Sequence, residues 1–185
     1  MFDIWLELQH NEVVKASNGF TLIELILVMA IIGILSVVGI GSYTQATIKS
    51  RDTERKNDLN QIAKALESFN NDVGRYPAVD DTGKMTCPQL DGTEADCIEM
   101  ITAYIGDEKA VYMQEVPKDP DTDRSYIYVP EGNETGFALY TALENTQDKD
   151  VVVDSTGVAT DWSISCGTVN CNYKLTEVGL IREIQ

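Results

Sequence analysis

The sequence predicts an α+β protein: a long N-terminal helix packed on a small antiparallel sheet, with a loop-rich head containing disulfides. Three observations predict it. Residues 20–40 are an apolar run with a single charge, Glu24. Behind that run, apolar residues recur at helical spacing as far as Val73. Beyond Pro77, short β-branched and aromatic runs alternate with turn formers.

The elements follow in order. Residues 1–19 form a leader that does not read as an ordinary secretory signal, since no small-residue cleavage site follows Ile40. Residues 20–40 cover roughly 30 Å as a helix, the thickness of a bilayer core, so they predict a transmembrane half-helix. Residues 41–76 predict an amphipathic half. Ile48, Leu59, Ile62, Ala63, Leu66, Phe69 and Val73 form its apolar stripe. Lys49, Arg51, Asp52, Glu54, Arg55, Lys56, Asp58 and Lys64 read as a solvated face with local ion pairs. No strong breaker interrupts residues 42–72, and Gly74 and Pro77 end the helix. Residues 39–42, with Gly39 and Gly41, are its weakest stretch.

Residues 77–185 predict a soluble acidic head. A short helix is expected over 94–105, with Ile98, Ile101 and Ile105 on one side. Strands are expected at 125–129, 136–143 and 150–154, and residues 173–184 predict a further strand or short helix. Short connections favour antiparallel pairing, with the stripe from Leu59 to Phe69 covering one face.

Charge divides the chain in the same way. The net charge is −16, and residues 77–185 carry seven basic and 21 acidic groups. That balance argues against nucleic-acid binding, which needs clustered Lys and Arg. Apolar residues are 43 % of the chain, enough to exclude wholesale disorder.

Gly19-Phe20-Thr21-Leu22-Ile23-Glu24, followed by the apolar run, resembles the processing site of type IV prepilins and type II secretion pseudopilins. The resemblance covers residues 15–76. It implies cleavage between Gly19 and Phe20 by a membrane prepilin peptidase, N-methylation of Phe20, and a mature chain of 166 residues. Glycine at the cleavage site offers no side chain to obstruct the peptidase. Glu24 is an expensive charge in an apolar segment. The resemblance gives it a role in filament assembly, neutralising the N-terminal amine of a neighbouring subunit; the plainer alternative is a tolerated interfacial carboxylate. Tyr43 fits the pattern, whereas Gly41 stands where many major pilins have a helix-bending proline. The leader departs too, with only Lys15 near the cleavage site against Lys49, Arg51, Arg55 and Lys56 beyond the apolar run. Counting positive charges therefore opposes the orientation that the motif implies. Pro117-Lys118-Asp119-Pro120 is similar to a loop of pseudopilins and related pilins, and its prolines predict a rigid turn.

Cys87, Cys97, Cys166 and Cys171 all lie on the export side of the apolar run, where oxidation favours disulfides. Four cysteines allow three pairings; the local one, Cys87–Cys97 with Cys166–Cys171, is preferred over the others and over zinc. Asp119, Asp121 and Asp123 alternate, but Arg124 and Pro130 stand where an EF-hand needs Gly and Glu. Pseudopilins similar in the 117–120 loop can bind calcium after the sheet. The matching region, 144–161, offers Asp148, Asp150, Asp154 and Asp161 as donors, set against a merely solvated acidic loop. No other cofactor is implied. The sequon at Asn133 reads as an exposed loop.

The resulting expectation is a structural subunit of a type IV pilus-like filament, not an enzyme. The filament is a self-polymer or a mixture of pilins. Its other partners are the inner membrane before assembly, the prepilin peptidase, and an assembly platform with a separate ATPase, since this chain has no P-loop. The location moves from the inner membrane to an extracellular pilus or periplasmic pseudopilus. Alternatives are a pseudopilin or minor pilin of a secretion or competence system, and a single-span membrane-anchored binding protein. An enzyme is disfavoured because the one histidine, His10, lies in the leader.

Overall fold

The computed structural model describes residues 19–152 and 162–181, with the side chains of 37–42 outside that description. The chain divides into two compact units, Met1–Tyr43 and Thr44–Gln185. Helix α1, Leu22–Val73, contributes to both. It stops where the sequence expects: Gly74 has φ +84°, and its N–H donates to the Asn70 carbonyl at 2.8 Å. A left-handed residue just past a helix end is a glycine position.

In the first unit, the side chains of residues 20–36 are exposed. Among the described residues no helix is long and apolar enough to cross a membrane. The expected span over 20–40 runs into residues 37–42, whose side chains lie outside the description. The part of it with described side chains, 22–36, rises only about 22 Å, short of the roughly 30 Å of a bilayer core.

Among its described residues, the second unit has eleven antiparallel strands in four small sheets. β1 (Ala78–Val79), β2 (Met85–Pro88) and β3 (Glu94–Asp96) form one sheet. β4 (Ile101–Ile105) and β5 (Glu108–Met113) form a hairpin, and β8 (Ser165–Cys166) pairs with β9 (Val169–Asn170). The largest sheet has the order β11 (Gly179–Ile181), β10 (Tyr173–Thr176), β7 (Gly136–Thr141), β6 (Ile127–Glu131). Pro130 lies in β6, an edge strand, where a missing N–H is tolerated.

β7 is buried along its whole length. Its alternate residues face two cores, as strand periodicity requires. Phe137 and Leu139 join Leu59, Ile62, Leu66 and Phe69 of α1. Ala138 and Tyr140 join Ala142, Cys166 and Cys171.

Three expectations are corrected. Residues 94–105 hold strands β3 (94–96) and β4 (101–105) joined by a bend, not a short helix. Ile101, Thr102 and Ala103 are consecutive buried residues, and Gly106, with φ +61°, opens a tight hairpin turn to Glu108. Residues 150–152 form no strand, although the Val152 N–H bonds to the Asn172 carbonyl, and residues 153–154 lie outside the description. The charged face of α1 is not wholly solvated either. Asp52, Arg55 and Asp58 are buried. They continue the stripe of Leu59, Ile62, Leu66 and Phe69 toward the N-terminus at the same three- and four-residue spacing.

Candidate functional site

Two places collect the residues that carry chemistry. The first is the start of α1. Gly19 and Phe20 precede the helix and are exposed. A side chain at Gly19 would meet nothing within 4 Å. Thr21 caps the helix reciprocally with Glu24. The Thr21 hydroxyl accepts the Glu24 N–H at 3.3 Å. A Glu24 carboxylate oxygen accepts the Thr21 N–H at 2.9 Å and the Thr21 hydroxyl at 2.8 Å. This is a capping box, and its signal, Thr-x-x-Glu before an apolar run, stands in the sequence although the expectations above passed over it. The box also gives the Glu24 carboxylate local partners at the mouth of an apolar segment.

The second place is an ionic network in the head. Arg55 is fully buried and binds three carboxylates. Its guanidinium makes a forked pair of 2.9 Å bonds to Asp119. One nitrogen also donates to Asp52 and to Glu144, each at 2.8 Å. Arg51 donates to both oxygens of Glu144. The hydrogen bond from Arg51, helped by Arg55, outweighs burial and holds the Glu144 carboxyl at about 2. Asp52 in turn accepts the backbone N–H groups of Glu144 and Asn145, each at 2.9 Å. Tyr126 donates to Asp58 at 2.7 Å. The network therefore fastens the segment after β7, and the loop at Asp119, to one face of α1. Burying four charged groups is tolerable only because each is paired and hydrogen-bonded.

The alternating aspartates of residues 119–123 act as turn residues. Asp119 accepts the Asp121 N–H at 2.9 Å, and Asp121 accepts the Asp123 N–H at 3.1 Å. Of the four expected calcium donors, Asp148 and Asp150 meet at the Lys56 ammonium, at 2.7 and 2.9 Å. Burial alone would lower the Lys56 pKa, but these two hydrogen bonds raise it above the ordinary lysine value. Asp154 and Asp161 lie outside the described residues, as does His10. Cys87 is joined to Cys97, and Cys166 to Cys171. The first disulfide ties β2 to the end of β3, and the second closes the β8–β9 hairpin. Sequence reasoning missed Asp52, Arg55 and Glu144 as a unit. The missing signal was positional: Asp52 and Arg55 occupy the core register of α1.

A long helix opening on a prepilin-type motif, with its head half packed on an antiparallel sheet, defines a pilin-like class of protein. The chain belongs to the family described as "Type II secretion system (T2SS), protein G", which matches residues 42–154, and residues 14–40 match the "Prokaryotic N-terminal methylation motif". Similar proteins include the "Type IV major pilin protein PilA" of Myxococcus xanthus (strain DK1622), 40 % identical over 60 residues, which are 32 % of this chain and 27 % of the relative. A "Fimbrial protein" of Moraxella nonliquefaciens is 33 % identical over 67 % of this chain and 71 % of its own length. The "Type II secretion system core protein G" of Pseudomonas aeruginosa is 27 % identical over 68 % of this chain and 82 % of its own length. The match spans only about a quarter to a third of the length of the first of these relatives and of two similar Pseudomonas aeruginosa fimbrial proteins. No solved structure matches significantly.

Proposed function

We propose that this chain is a structural subunit of a type IV pilus-like filament. It is cleaved between Gly19 and Phe20, N-methylated at Phe20, and assembled through its apolar N-terminal helix. One observation carries the reading. The complete motif from Gly19 to Glu24 opens a helical segment whose apolar side chains, through residue 36, are all exposed in the isolated chain. A continuous apolar surface of this kind needs lipid or another protein to cover it. Packing against copies of itself, in a heterologous and open-ended arrangement, supplies that cover.

The peptidase, the inner membrane, and an assembly platform with its ATPase are the partners that such a route requires. Delivery is to an extracellular pilus or a periplasmic pseudopilus. The head contributes an acidic outer surface that disfavours direct nucleic-acid contact. The role is structural and not catalytic. In its support, the buried Asp52 and Asp119 carboxylates are committed to Arg55, and the chain's one histidine belongs to the leader. No resident cofactor enters the proposal. A second reading, a pseudopilin or minor subunit, is favoured by the family match over 42–154.

Mass spectrometry of the N-terminus in filaments sheared from producing cells tests both readings. N-methylated Phe20 dominating the sheared fraction is the expected result for a major subunit. The same processed chain confined to the membrane fraction supports the second reading. An intact leader, in cells with an active peptidase, would overturn both in favour of an anchored binding protein.

A further inference from the structure

We propose that the Lys56 ammonium stands where a divalent cation would otherwise bridge Asp148 and Asp150, so that residues 144–152, just after β7, keep their fold without calcium. The inference concerns the head alone and does not rest on the filament reading.

The geometry carries it. Lys56 donates to Asp148 at 2.7 Å and to Asp150 at 2.9 Å, one oxygen from each carboxylate. The ammonium also lies 5.8 Å from the centroid of the Tyr173 ring, a cation–π position. All three side chains are mostly buried, with relative exposures of 21 % for Lys56, 23 % for Asp148 and 12 % for Asp150. The cation is therefore built into the packing and does not graze the surface.

The loop's other bonds come from protein groups. The bonded Asp148 oxygen also accepts the Asp150 N–H at 3.0 Å. The Asp148 N–H donates to the Asn145 carbonyl at 3.0 Å, and the Val151 N–H to the Asp148 carbonyl at 3.1 Å. Upstream, Asp52 holds the N–H groups of Glu144 and Asn145.

Calcium does not fit this arrangement. It takes six to eight oxygens at about 2.3–2.6 Å, and here a positive nitrogen already sits within bonding distance of both carboxylates. A second cation would have to displace the lysine head or lie against it. Among the described residues, no group of three or more His, Cys, Asp or Glu side chains is placed to hold a metal ion. Lys56 supplies one charge where calcium would supply two, so the pair of carboxylates keeps a net negative charge that its backbone N–H bond and the surrounding packing hold in place.

Lys149 gives the loop its own reporter. It is exposed between the two aspartates, and opening of the loop is what exposes the peptide bond after it to a lysine-specific protease that needs no calcium. The full processed chain in detergent would be digested in a calcium chelator and in millimolar calcium chloride. Cleavage after Lys149 and the Tm are expected to be the same in both. In Lys56→Met, chelator-treated protein is expected to be cut there about tenfold faster, as local opening becomes easier. Asp148→Asn with Asp150→Asn in the Lys56→Met background removes the unneutralised charges and should restore part of the protection, which also guards against a variant that merely fails to fold. Strong calcium protection of the wild-type loop would overturn the proposal. So would a Lys56→Met loop as resistant as wild type in chelator.

Discussion

Arg55 shows how one residue sets the stability of the head. Its guanidinium has no exposure, and its compensation comes from Asp52, Asp119 and Glu144. The Asp119 side chain is itself fully buried, so removing the arginine strands it. Breaking one partner of a buried pair costs about 3–5 kcal/mol. Arg55→Met is therefore expected to lower the unfolding free energy from urea titration by about that amount, and Arg55→Lys to recover little of it, because an ammonium cannot reproduce the forked bonds to Asp119. Acid acts on the same network. The Glu144 carboxyl is depressed from 4.5 to about 2 in the folded chain. A depressed acid contributes its stability in full above its unfolded value and loses it as pH falls through the folded one. Urea midpoints should therefore fall between about pH 4.5 and pH 2, and Glu144→Gln should flatten that decline while lowering the plateau above it. An unchanged acid profile in the variant would place the acid sensitivity elsewhere.

At the scale of elements, legibility depended on how local the signal was. The end of α1 was readable because Gly74 acts within one turn of the helix. β7 was readable because its run of residues is apolar on both faces, whichever element covers it. The strands at 94–96 and 101–105 were not. Isoleucines at three- and four-residue intervals imitate a helix, and only pairing with β2 and β5 decides for strands. The docking of the β8–β9 hairpin was not legible either, since it depends on a contact distant in sequence. Gly167 there has φ +85°, and a β-carbon on it would lie 2.3 Å from the Asp123 carbonyl oxygen. Gly92, at φ +78°, has open space around the same position. Gly92→Ala should thus cost about 1–3 kcal/mol from backbone conformation alone. Gly167→Ala should cost clearly more, because backbone must also move. Thermal melts of the two variants check this, and equal losses would mean that the close approach at Asp123 carries no weight.

For the whole molecule, the two units meet different physical demands. The processing motif was legible because six consecutive residues carry it. The ionic network was not, because its members lie up to 93 residues apart along the chain and only folding brings them together. The unit Thr44–Gln185 has a core made from its own residues, from Leu59 on α1 to Leu175 on β10. The first unit keeps apolar side chains exposed through residue 36. Cutting the chain before Thr44 should then separate folding from association. Thr44 is a competent helix cap for the remaining α1 segment. Residues 44–185, expressed with both disulfides formed, are expected to melt in one cooperative transition, to stay monomeric in sedimentation without detergent, and to form no filaments. The processed chain starting at Phe20 is expected to need detergent or partners to stay dispersed, since its exposed apolar segment offers a surface for association. A truncated chain that binds hydrophobic dyes and melts without a transition would show that the head's core depends on the first unit. One that still polymerises would move the assembly surface from the apolar helix to the head.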